Sequence, residues 1–200
     1  MRPDPAARAE YIVAFRALAA RVAAALSGVP AAELPIKMYV AGGAALHFYT
    51  GERVSRDVDA VFSRRVVLPE DLEIAYSDAD GAARLLYFDR QYSDTLALVH
   101  EDAYDDSLAL SLEGVDSRIL DVRLLTPLDL AVSKLSRFSE QDRNDIVSLA
   151  RHRRVRSAKL RQRANDALAG YVGSAERIRG SIDLACRLVE DCERRLRNTL

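Results

Sequence analysis

Val40-Ala41-Gly42-Gly43-Ala44-Ala45-Leu46, followed by Asp57-Val58-Asp59 with thirteen residues between Gly43 and Asp57, is the stretch that decides how this chain is read. A β-branched and aromatic run over residues 37 to 41 stops at the two glycines. It passes into residues 44 to 50, which read as a two-turn helix closed by Gly51. Residues 55 to 62 then alternate, with Val58, Ala60 and Phe62 on one face of a strand and Asp57, Asp59 and Val61 on the other. The order is strand, glycine turn, helix, acidic strand.

Each part of that order has a physical job. A strand that ends in two glycines and feeds a helix leaves backbone N–H groups and the positive end of the helix dipole open to a phosphate, with no Cβ in the way. Carboxylates at i and i+2 of a strand project from one face, roughly 6 to 7 Å apart, close enough to share a magnesium site or a pair of them. Together, Gly42 and Gly43 with Asp57 and Asp59 offer to hold a nucleoside triphosphate (NTP) by its phosphates and by its metal.

Working outward, residues 6 to 27 repeat apolar side chains at helical spacing (Tyr11, Phe15, Leu18, Val22, Leu26). Residues 72 to 76 and 84 to 88 suit antiparallel strands around a turn at 77 to 81. Residues 118 to 125 form a clearer strand, with Leu120, Val122 and Leu124 on one face. Thr126 caps a helix with Pro127 at its first position, Ser139 caps a second, and two more fall at about 154 to 169 and 174 to 197. The expected fold is α+β: a mixed β-sheet core with its N-terminal helix over residues 1 to 125, and a C-terminal helical bundle over 126 to 200 that completes the active-site cleft.

The motif just quoted, extended through Arg53-Val54-Ser55-Arg56 to Asp59, resembles the signature of the polymerase-β-like nucleotidyltransferases in their small prokaryotic form. The later stretch Leu125-Thr126-Pro127-Leu128-Asp129-Leu130-Ala131-Val132-Ser133-Lys134, with Asp142-Arg143-Asn144-Asp145-Ile146, resembles the AbiEii-like group, whose best understood members are toxins of toxin–antitoxin and phage-defence systems. The resemblance covers about residues 37 to 150. It implies Mg2+, in a two-metal site, on Asp57 and Asp59, with Asp121 as a third metal carboxylate on a later strand. It also implies a triphosphate lined by Gly42, Gly43 and Arg56 and touched by Lys134, and a further functional carboxylate at Asp142 or Asp145. Many members carry a serine after the first glycine; here that place is Gly43, which removes one phosphate-binding hydroxyl and leaves the backbone cradle.

The 200 residues and 22.1 kDa correspond to one domain, or to a core with a helical appendage. Cys186 and Cys192, six apart in a charged helical segment, make neither a disulfide framework nor a zinc knuckle, and a reducing cytoplasm fits them best. Nothing approaches eighteen consecutive apolar residues, and His47, His100 and His152 have no ligand spacing. A formal charge of −1 gives no reason to favour nucleic acid, but it hides a division. Residues 1 to 150 carry 16 basic and 24 acidic side chains, whereas 151 to 200 carry 13 and 6.

Seven basic residues and no acid fall between Arg151 and Arg163. Arg153, Arg154, Arg156 and Arg161 are therefore candidate contacts to an RNA backbone, such as a tRNA modified at its 3′ end. The acidic segment from 70 to 106 is a second surface, either the internal partner of the basic run or the seat of an antitoxin protein. The expected reaction moves a nucleoside monophosphate to an acceptor hydroxyl. The alternatives are an antitoxin that transfers AMP to a partner protein and a nucleotide-binding module without turnover.

Overall fold

The computed structural model describes residues 1–95 and 97–198. It forms two compact units, one of Met1–Tyr92 with Ser107–Leu124, the other of Ser93–Asp106 with the chain from Leu125 onward. The architecture is α+β, with two mixed sheets in the first unit and helices dominating the second. The sheet-bearing core does not run unbroken to residue 125. Ser93–Asp106 packs with the helices instead, burying Leu98 and Ala103, and Asp106 ion-pairs with Arg163 of a C-terminal helix at 2.7 Å.

In the first unit α1 (Ala9–Ala25) turns Tyr11, Phe15, Leu18 and Val22 inward, and all four are fully buried. The spacing of these side chains makes one apolar stripe. β1 (Ile36–Val40) feeds directly into α2 (Gly42–Thr50), so both glycines belong to the first helical turn, which starts two residues earlier than the sequence suggested. Gly51 ends α2 at φ 67°, its amide donating to the His47 carbonyl.

The acidic strand is split. β2 (Asp57–Val58) pairs in parallel with β5 (Ala83–Phe88), whereas β3 (Ala60–Phe62) pairs antiparallel with β1. The chain therefore changes sheets at Asp59, whose carbonyl accepts from the Ala41 amide at 2.8 Å. Alternation survives the change, with Val58 and Ala60 buried and Asp57 and Asp59 half-buried.

β4 (Glu73–Ser77) and β5 form the expected hairpin, so the second sheet runs β2-β5-β4. The first runs β3-β1-β7-β6, with β6 (Leu108–Ala109) antiparallel to β7 (Leu120–Leu124) and β7 parallel to β1. Leu120, Val122 and Leu124 are buried on one face of β7.

The second unit begins with α3 (Pro127–Ser133), capped by Thr126, whose Oγ1 accepts from the Asp129 amide at 3.0 Å. α4 (Glu140–Arg151) opens with a capping box in which Ser139 and Asp142 satisfy each other's backbone amides. α5 (Ser157–Leu168) and α6 (Ala175–Asn198) complete the bundle, with Ile178, Ile182, Cys186 and Val189 buried along α6. Both cysteines are free. Among the described residues, no helix is long and apolar enough to cross a membrane.

Candidate metal and nucleotide site

Asp57, Asp59 and Asp89 each offer a carboxylate oxygen to one cluster, with the three oxygens within 4.8 Å of one another. The strands explain the arrangement. Asp57 and Asp59 lie two residues apart, on one side of an extended chain. β2 and β5 run in parallel with Val58 opposite Phe88, and the Asp89 amide donates to the Val58 carbonyl at 3.1 Å. One step further along that register, Asp59 and Asp89 stand side by side.

The third carboxylate of that cluster is Asp89; Asp121, the candidate expected from the sequence, is not one of its members. Asp121 is opposite Lys37 in the β1–β7 register, three residues before Val40 at the end of β1 where the glycine turn begins. At about 3.3 Å per residue that is on the order of 10 Å short of the site. Its carboxylate is ion-paired with Arg123 at 3.1 Å, and Arg123 is held in turn by Ser107 Oγ at 2.8 Å. The local signal for Asp89 was its place immediately after the strand at 84 to 88; what completes it is a parallel pairing across thirty residues, which no local pattern reveals.

The two glycines make different contributions. Gly42 adopts φ +55°, and a Cβ there would lie 1.7 Å from Asp59 Oδ2. The Asp59 carboxylate thus occupies the space that any other residue would fill at the N-terminus of α2. A Cβ on Gly43 would meet Ser55 Oγ at 2.7 Å and the Arg53 guanidinium at 2.8 Å. Ser55, 4% exposed, donates its hydroxyl to Asp57 Oδ1. The space beside Gly43 is therefore filled by Ser55, a residue not singled out in the sequence, whose hydroxyl proton goes to Asp57. Arg53, likewise overlooked, brings a guanidinium to this turn, whereas Arg56, out of phase with Ser55 and Asp57 along the chain, is exposed.

Supports behind the site are aromatic and neutral. His47 is fully buried; its Nε2 accepts from the Arg8 amide and its Nδ1 donates to the Arg53 carbonyl, both at 2.9 Å. Burial lowers its pKa below the usual imidazole range, which suits this neutral bridging role. Tyr11 packs edge-on against His47 with ring centroids 4.7 Å apart. Its phenol is pushed far above the ordinary range by burial, with Tyr76, Asp57 and Asp59 adding to the shift.

The remaining sequence candidates lie in the helical unit. Lys134, 7% exposed, places Nζ 2.6 Å from Asp145 Oδ2 and 3.8 Å from Asp142 Oδ1. Burial would raise the pKa of Asp142, but hydrogen bonds from Arg137 and Ser139 and the charge of Lys134 prevail and hold it at about 2. These three residues are thus brought together as a buried ionic brace between α3 and α4.

Of the basic run, Arg161 is paired with Asp183 at 2.5 Å and Arg163 with Asp129 at 2.7 Å. Arg153 and Arg156 line a cleft of about 200 Å³ with Arg197 and Glu193. Arg154 is exposed.

The first-unit cluster suits a small hard cation. Its donors are three carboxylate oxygens, which magnesium prefers, and their mutual repulsion is what a divalent ion offsets. The missing Cβ of Gly42 makes room for one of those carboxylates, Asp59, at the N-terminus of α2. No curated protein and no solved structure matches the chain. Residues 19–186, which include the glycine turn, all three carboxylates and most of the helical unit, match the family model described as nucleotidyltransferase of unknown function (DUF6036), and the chain belongs to that family.

Proposed function

We propose that the chain moves a nucleoside monophosphate from an NTP to an acceptor hydroxyl, with RNA, at the 3′ end of a tRNA, as the acceptor. One observation carries the reading: Asp59 of the carboxylate triad fills the Cβ space of Gly42 at the start of α2, so the metal-binding side chains and the phosphate-binding helix end share one place. Bound at the triad, Mg2+, as one ion or two, would neutralise the charge that builds on the transferring phosphoryl group. The first-turn amides of α2 and the Arg53 guanidinium face the triphosphate, and Ser55 keeps the Asp57 carboxylate oriented. In the transfer, the acceptor oxygen bonds to the α-phosphorus and the bond from that phosphorus to its bridging oxygen breaks. Pyrophosphate leaves with the electron pair, and the hydroxyl proton passes to Asp89.

Lys134 reaches a phosphate only by leaving Asp145, so its part in this reading is to brace α3 against α4. Arg153 and Arg156, which among the described residues have no carboxylate partner of the kind that Asp183 is to Arg161, remain the better candidates for RNA contacts in the basic run. The motif over residues 125 to 146 supports placement in the AbiEii-like group, hence a toxin or phage-defence role with an antitoxin protein as partner. The hydroxyl of Ser55 at the glycine turn favours a working site over a decayed one.

The test is incubation of the protein with each α-labelled NTP, Mg2+, and either total RNA or candidate partner proteins. Label on RNA that disappears in Asp57→Ala supports the proposal. Label on protein favours AMP transfer to a partner, and no label on either favours a binding module.

A further inference from the structure

A second concave feature adjoins the triad at Asp89. It is a cleft of about 370 Å³ between the end of β3, the loop that follows it, and the end of β5. That volume lies at the lower end of small-ligand sites. Its lining includes Phe62, Phe88, Tyr92, Arg65, Arg90 and Asp89, and none of it comes from the glycine turn. The Phe62 and Phe88 rings lie 5.7 Å apart, tilted by 30°, presenting an aromatic wall.

The charges of this cleft are distinctive. Arg90 donates to the Pro69 carbonyl at 2.8 Å, a neutral acceptor that fixes the side chain and leaves its positive charge in place. Arg65 is exposed and has no carboxylate partner among the described residues. Arg64 is ion-paired with Glu33. Asp89, a member of the triad, is the one carboxylate in the lining. A site with aromatic faces and uncompensated arginines suits a base and its phosphate, the pattern by which single strands are held.

We propose that this cleft binds the 3′-terminal nucleotide of a single-stranded RNA acceptor, the base against Phe62 and Phe88 and the backbone phosphate at Arg65 and Arg90. The terminal hydroxyl then lies toward Asp89, while the donor triphosphate stays at Gly42 and Gly43. This inference rests on the nucleotidyl-transfer reading and gives its acceptor end a binding place. It also separates the part that selects a single-stranded end from the basic surface of the helical unit.

The experiment is fluorescence anisotropy with a labelled twelve-nucleotide single-stranded RNA bearing a free 3′ hydroxyl, and with the same RNA in a blunt duplex, at several salt concentrations. The full-length wild type is expected to bind the single strand more tightly. Arg65→Glu should weaken that binding by about tenfold and flatten the salt slope by about one unit or more. Phe62→Leu keeps the apolar volume and should weaken binding without changing the slope, because it removes a stacking face and no charge.

Equal binding of single strand and duplex, or unchanged affinity in both variants, overturns the assignment. So does affinity lost in an Arg153→Glu, Arg156→Glu protein and kept in Arg65→Glu. Mn2+ binding by the wild type, read by electron paramagnetic resonance, reports separately on the triad. Its failure would sink the transfer reading, while anisotropy still decides whether the cleft holds RNA.

Discussion

Gly42 and Asp59 meet so closely that a methyl group on the glycine would fall 1.7 Å from the carboxylate oxygen. The glycine also carries φ +55°, a left-handed conformation that side chains other than hydrogen disfavour. Two demands therefore converge on one residue, the backbone turn from β1 into α2 and the room for a metal-facing carboxylate.

Gly42→Ala should consequently act on the site more than on the fold. The conformational strain costs about 1–2 kcal/mol, an amount a folded unit of this size tolerates. The displaced Asp59 carboxylate should cost the protein its Mn2+ binding. Thermal melting and isothermal titration with Mn2+ check both halves: a small shift in melting temperature with metal binding lost is the expected pair of results.

The neighbouring glycine makes a more discriminating case. Gly43→Ser puts a side chain into space held by Ser55 and Arg53, so metal affinity should fall, on the order of tenfold, as Ser55 is pushed off Asp57. Gly43→Ser combined with Ser55→Gly removes the Ser55 part of the obstruction, leaves only the flexible end of Arg53 to move aside, and places the hydroxyl at position 43. Affinity should recover in the double variant beyond that of Gly43→Ser alone, a coupling that a double-mutant cycle measures directly.

Asp142 gives a dependence on acid. Its pKa is held at about 2 in the folded protein, below the ordinary carboxylate value of 3.8, so the stability it confers is complete above about pH 4 and is lost as the pH falls through 2. That contribution is on the order of 2 kcal/mol for a carboxylate 1% exposed. Asp142→Asn should be less stable than wild type at pH 7, and its stability should decline less between pH 4 and pH 2. Urea unfolding at the three pH values measures the difference.

What could be read directly from the chain were the features that neighbours in sequence determine. Thr126 with Pro127, Ser139 with Asp142, the hairpin of β4 and β5, and the apolar stripe of α1 all follow from spacing and capping chemistry. The break of the acidic strand at Asp59 was hidden, because its two halves pair with β5 and β1, and side-chain alternation looks the same in one strand or two. Asp89 and Ser55 were hidden for a related reason: each acts through a residue brought near by pairing or by a turn. Lys134 was legible as a charged residue beside an apolar stripe, but its buried partner Asp145 lies eleven residues on, in another helix.

The most direct test of the central claim compares divalent-metal binding and label transfer from an α-labelled NTP in wild type, Asp57→Asn, Asp59→Asn, Asp89→Asn and Asp121→Asn. A shared site on the first three aspartates predicts that their variants lose both properties together. Asp121→Asn, which breaks only the half-buried pair with Arg123, should retain both. Full metal binding and transfer in Asp89→Asn, with loss in Asp121→Asn, would contradict the account.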